Sequence, residues 1–164
     1  MINMIGEKQP SPASITAKLD RTLHAIGFQY ELVSPERIVG RLLVTETCCQ
    51  PFDVLSGGVS ALMAESMASL GAYVSSGFKR VAGVQLATNH LRAVLLADVV
   101  EAEARPIQAG KTIQVWEVHI WKIEPTTAVK KVLVSTSRVT LLCNRQAPED
   151  LKGYEQTVKS FAKL

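Results

Sequence analysis

The segment GGVSALMAESMASLGAYVS, Gly57–Ser75, decides the fold. It contains no proline and is rich in Ala, Leu, Met and Ser, so the spacing predicts a helix over its whole length. Ala61, Leu62, Ala64, Met67, Ala68 and Leu70 leave that helix apolar nearly all round. A helix without a polar face has to be buried. The rest of the chain must therefore supply the elements that enclose it.

Working outward, four strand-like stretches follow Gly77, over residues 81–92, 99–108, 112–123 and 129–143, separated by short turns or loops. They predict an antiparallel meander. Upstream, Ile38, Val39, Leu42, Leu43 and Val44 make residues 37–46 a strand after Pro35, and Cys48, Cys49, Gln50, Pro51 and Phe52 make a loop. Ser14 is placed to cap a first helix reaching roughly to Gly27, with Ile15, Leu19, Leu23 and Ile26 on one face. The order is helix, strand, central helix, then four strands. It predicts an α+β fold in which an antiparallel sheet wraps the central helix, as one domain over 1–164. Residues 1–30 form an N-terminal extension with a helix, and 145–164 a short polar tail.

Composition narrows the function. A hydrophobic fraction of 47% and a charged fraction of 20% are those of a packed globular chain. The net charge of +3 is small, and its Lys and Arg residues are scattered, so a nucleic-acid partner is not expected. Apolar runs fall far short of the ~20 residues of a spanning helix, and no membrane partner is expected. The start of the chain lacks the basic and apolar regions of a secretory signal. Three cysteines without CxxC or Cys/His metal spacing read as reduced structural thiols, with no metal and no redox cofactor. The last three residues, Ala162-Lys163-Leu164, resemble the Ser-Lys-Leu address of peroxisomal import, so a peroxisomal protein meeting the import receptor is expected.

One residue on the central helix breaks its pattern. Glu65 stands among Met63, Ala64, Met67 and Ala68, where a carboxylate is costly unless it is hydrogen-bonded, protonated or facing a cleft. Burial would raise its pKa and make it a usable base or nucleophile near neutral pH. Ser69 lies one turn on, on the same face. Gly57 and Gly58 put free N–H groups and the positive end of the helix dipole where a carbonyl oxygen can approach. That combination suits an oxyanion. Gln50 adds a side-chain amide in the preceding loop, and the set reads as acyl transfer to water.

These residues carry a resemblance. QPFDVLSGGVSALMAESMASLGAY, residues 50–73, is similar to the signature of hotdog-fold acyl-CoA thioesterases of the hydroxybenzoyl-CoA and phenylacetyl-CoA type. The stretches VAGVQLATNHLRAV and PIQAGKTIQVWEVHIW match later segments of that family in order and spacing, so most of 37–143 is covered. The resemblance implies Glu65 as nucleophile or general base, Gly57 as the amide donor to the thioester carbonyl, and Gln50 and Ser69 as helpers. It implies substrate contacts at Ser56, Gly58 and Val84, and CoA contacts at His90, Arg92 and the turn Gly110-Lys111-Thr112. The family usually has His where this chain has Ser56. Its plant peroxisomal members acting on 1,4-dihydroxy-2-naphthoyl-CoA in phylloquinone synthesis look most similar. Hydrolysis of that kind needs no cofactor, since CoA belongs to the substrate, and the family's homo-oligomers imply a tetramer built as a dimer of dimers, with sites between subunits.

Plainer readings compete at several positions. His24 and His119 read as surface or structural histidines, Trp116 and Trp121 as core, and Lys130-Lys131 as a solvated turn. Arg92 and Lys111 are as much surface charges as phosphate contacts. A hydratase would need an Asp/His pair near the helix, and Asp53 has no histidine close in sequence. A broad aryl- or fatty-acyl-CoA thioesterase and a non-catalytic acyl-CoA binding protein remain alternatives.

Overall fold

The computed structural model describes residues 10–146 and 148–164; residues 1–9 of the predicted extension lie outside the described residues. Two short helices, α1 (Pro12–Leu19) and α2 (Arg21–Ala25), replace the single helix expected over 14–27. Ser11, one turn earlier than expected, is the cap, its Oγ accepting the Ser14 N–H at 3.2 Å. Pro12 fills the first turn, where a missing N–H costs nothing. Asp20 adopts an extended backbone that ends α1, and its side chain accepts the Leu23 N–H at 2.9 Å to start α2.

Strands β1 (Gln29–Val33) and β2 (Ile38–Leu43) follow; β1 lies in a stretch to which the sequence pattern assigns nothing. Within the expected loop, β3 (Cys49–Gln50) and β4 (Val54–Leu55) make a two-residue pairing that delivers the chain to the central helix α3 (Gly57–Ser75). Then come β5 (Arg80–His90), β6 (Val99–Ala109), β7 (Ile113–Ile123) and β8 (Lys130–Arg145).

Six strands form one antiparallel sheet in the order β1-β2-β6-β7-β8-β5. Only β6, β7 and β8 make the expected meander. Residues Ile38 to Leu43 of β2 pair with Val99 to Ala104 of β6, which closes that side and leaves β8 as the open neighbour for β5. β5 is thus an edge strand. Alternation in the sheet sorts its two faces. Val100, Ala102 and Ala104 of β6 with Trp116, Val118 and Ile120 of β7 are buried in the same core as Met63, Ala64, Met67 and Ala68 of α3. At Gly71 the helix comes so close that a Cβ would overlap the Trp116 ring. Between the inward positions of β6 stand Glu101 and Glu103, paired with Arg41 of β2 and with Arg37 just before that strand.

The tail is more than a polar extension. Residues Lys152–Phe161 form helix α4, whose Val158 is fully buried and whose Tyr154 and Phe161 pack on the core. Tyr154 Oη donates to the Leu19 carbonyl at 2.9 Å, fastening α4 to α1. Among the described residues no helix is long and apolar enough to cross a membrane.

Candidate active site

Helix α3 carries the candidate residues at two levels. At its start Ser56 is the N-cap, its Oγ accepting the Gly58 N–H at 3.2 Å, which uses that N–H and leaves the Ser56 O–H able to donate. Gly57, the first helical residue, keeps an N–H that no helical carbonyl can accept. A Cβ at Gly57 would stand 3.0 Å from His90 Nε2, so the imidazole lies directly against the glycine. Gln50 Oε1 accepts the Phe52 N–H at 2.8 Å, which leaves the amide NH2 of the same side chain to donate elsewhere. Gln50, Gly57, His90 and Arg92 line one cavity of about 380 Å³.

Glu65 belongs to a different cavity, of about 390 Å³, which it shares with Ser66, Ser69, Leu70 and Tyr73 of α3. Leu19 and Asp20 from the α1–α2 junction, Tyr30 of β1, Arg80 and Val81 of β5, and Leu151 and Tyr154 by α4 close it. Burial pushes the Glu65 carboxyl above its ordinary value. On the facing strand, a Cβ at Gly83 would overlap a Glu65 carboxylate oxygen. Only glycine there leaves room for the acid. Ladder register shifts between Gly83 and Gln85, beside the exposed Val84.

The predicted residues therefore fall into three places. Glu65 and Ser69 are together, and Gln50, Gly57, His90 and Arg92 are together. The two groups are separated by eight residues of helix, about 12 Å of rise. The Gly110-Lys111-Thr112 turn joins β6 to β7 near Gln114, whose Oε1 takes the Ser75 Oγ–H at 2.8 Å, so it sits at the C-terminal end of α3, far from Gly57. The expected CoA contacts at Arg92 and Lys111 thus lie at opposite ends of α3 within one chain. Gly83, Tyr30, Tyr73 and Tyr154 were not foreseen. A glycine inside a strand is a signal of close approach, and Tyr73 follows Ser69 at the one-turn spacing that Ser69 keeps from Glu65.

Known proteins share this chain's pattern. The family model described as "Thioesterase superfamily" matches residues 52–129. The 1,4-dihydroxy-2-naphthoyl-CoA thioesterase 2 of Arabidopsis thaliana is 50% identical over 149 residues, which are 90% of this chain and 95% of that protein. A 1,4-dihydroxy-2-naphthoyl-CoA hydrolase of Listeria monocytogenes is 38% identical over 74% of this chain and 94% of its own length. Among solved structures, a thioesterase of Haemophilus influenzae superposes with a TM-score of 0.71 at 29% identity, covering 87% of this chain and 96% of that one. With the helix-in-sheet fold, the half-buried helix carboxylate and relatives matched along nearly their full length, this chain belongs to the thioesterase superfamily, in the hotdog fold.

Proposed function

We propose that the protein hydrolyses an aromatic acyl-CoA thioester, 1,4-dihydroxy-2-naphthoyl-CoA of phylloquinone synthesis, to the free acid and CoA. The observation that carries the chemistry is Glu65, a carboxylate raised by burial in a cavity wide enough for a ring system, with Ser69 beside it. The acyl group is supported by the 50% identity to the Arabidopsis enzyme of that name.

In this reading the Gly57 N–H, at the positive end of α3, holds the thioester oxygen as it gains charge. Glu65 delivers the attack on the carbonyl carbon, directly or through a water it deprotonates. The C–S bond breaks, water supplies the new C–O bond, and a proton ends on the CoA sulfur. No further cofactor enters the balance. Because Gly57 and Glu65 of one chain are too far apart to serve one carbonyl, the site is completed by a second copy. Helix α3 of each subunit brings its Glu65 to the Gly57 of the other, and two such dimers form a tetramer. CoA phosphates then meet Arg92 of one chain and Lys111 of a neighbour. Ala162-Lys163-Leu164 is read as the address for the peroxisomal import receptor, although the Lys163 N–H donates to the Val33 carbonyl at 2.9 Å; Lys163 and Leu164 are exposed, Leu164 at 72%, and Ala162 is half-buried.

Thiol release from a panel of dihydroxynaphthoyl-, benzoyl- and long fatty acyl-CoA, with wild type beside Glu65→Ala, tests the reading. Preference for the bicyclic ester, abolished in the variant while its melting temperature holds, supports it. A fatty-acyl preference overturns the substrate, and hydrolysis of none overturns the enzyme.

A further inference from the structure

The cavity beside Glu65 contains two phenols for which the chain itself has no use. Tyr30 is 1% exposed and Tyr73 9%, both line the cavity, and the Oη of each is buried without a hydrogen-bond partner among the described residues. Such hydroxyls destabilise a fold that gives them nothing to bind. The third tyrosine of the same wall shows that the fold can satisfy a phenol here, since Tyr154 Oη reaches the Leu19 carbonyl at 2.9 Å. Phe28, packed edge-on against Tyr30 with ring centroids 5.1 Å apart, fills an equally buried position without a hydroxyl. Packing alone therefore does not call for the two orphaned oxygens.

We propose that Tyr30 and Tyr73 set the acyl specificity: their hydroxyls hydrogen-bond a polar ring substituent of an aromatic acyl group whose thioester carbonyl lies at Glu65. The inference rests on the thioesterase reading and adds to it the residues that recognise the ring. Distance fits. Tyr73 is eight residues from Glu65, about 12 Å along the helix axis, and a helical side chain leans back toward the helix start, so its phenol closes part of that gap toward a hydroxyl on the ring that bears the carbonyl. The remaining wall, with Leu19, Leu70, Val81 and Leu151, is apolar and suits the ring faces. Both phenols keep their protons at any working pH. Tyr30 is raised by burial and then by the charge of Asp20, and Tyr73 by burial and then by Glu155. A fatty acyl chain would fill the same space and forgo the hydrogen bonds that a ring hydroxyl gains there, and that gain is the source of discrimination.

The test compares kcat/KM for 1,4-dihydroxy-2-naphthoyl-CoA and 1-hydroxy-2-naphthoyl-CoA, which differ only in the hydroxyl remote from the carbonyl. Full-length wild type, Tyr30→Phe, Tyr73→Phe and the double variant are assayed. Wild type is expected to prefer the dihydroxy ester. Each single variant should lose about tenfold in that preference, and the double variant should lose it altogether, with the monohydroxy rate retained. Because the deleted oxygens are unpaired in the free protein, no variant should melt below wild type. A preference kept in the double variant overturns the assignment. Equal losses on both esters with a lowered melting temperature also overturn it, since that is the mark of a structural role. Hydrolysis of neither ester by wild type overturns the thioesterase reading together with it.

Discussion

At the scale of single residues, Glu65 is a group whose ionisation works against the fold. Burial raises its pKa above the ordinary 4.5, so the folded chain holds the proton more tightly than the unfolded one. Its contribution to stability is complete below the unfolded pKa and is lost as pH rises through the folded pKa. Glu65→Gln, which never ionises, should therefore melt above wild type at pH 8, with the gap closing toward pH 4. A pair of melting curves across that range checks the sign, and a gap that does not change with pH would mean the ionised acid has found a compensating partner. Gly83→Ala tests the opposite side of the same contact. The new Cβ would occupy the place of a carboxylate oxygen, so the acid must swing away, and a shift near 1 Å in a reacting group costs about 100-fold in rate. The expected result is a fall of that order in kcat/KM in a folded protein. Glu65 was legible because a charge in an apolar helix breaks a pattern within a few residues. Gly83 and Tyr30 were not, because their meaning depends on which strand the fold sets opposite the helix.

Among elements, legibility followed how local the cause is. Helix α3 was readable to its ends because its composition runs unbroken from the Gly pair at its start to Gly77 just past its end. The break at Asp20 was missed because Ile15, Leu19, Leu23 and Ile26 keep helical spacing across it, while one extended residue re-aims the chain. Helix α4 was taken for a polar tail although Tyr154, Val158 and Phe161 already hold the i, i+4, i+7 spacing. Its other positions are polar because only that stripe meets the core. The position of β5 was out of reach for a different reason: its alternation states which way side chains point and says nothing of which edge it joins. Packing of α3 on the sheet gives the prediction at this scale. Gly71→Ala drives a methyl into the buried Trp116 ring, an overpacking of about 1–3 kcal/mol, from which the better helix propensity of alanine returns up to ~1 kcal/mol. A net loss of about 1–2 kcal/mol is expected in urea unfolding. A stabilised variant would show that the helix lifts off the sheet at little cost.

For the whole molecule, the decisive point is that Gly57 and Glu65, the two groups of the proposed mechanism, line different cavities about 12 Å apart along α3. Chain folding alone does not join them, and the edge strand β5, with Val84 62% and Leu86 36% exposed, is left open for another copy to cover. A two-fold axis that sets two α3 helices antiparallel would make two complete sites, each built from the Gly57 half of one chain and the Glu65 half of the other. Subunit mixing tests this directly. Glu65→Ala removes one half. Gly57→Pro removes the N–H of the other, at the first helical position, where proline is tolerated and where Ser56 already has the extended backbone a following proline requires. His90, 3.0 Å from the added Cβ, must give way by a few tenths of an ångström. Each variant alone should be inactive. When the two are unfolded together and refolded at equal concentrations, half of the dimers should be mixed, and each mixed dimer holds one site with both halves intact. Roughly a quarter of wild-type activity should return. Sites contained within single chains would return none, because each chain would still lack the group it was made without.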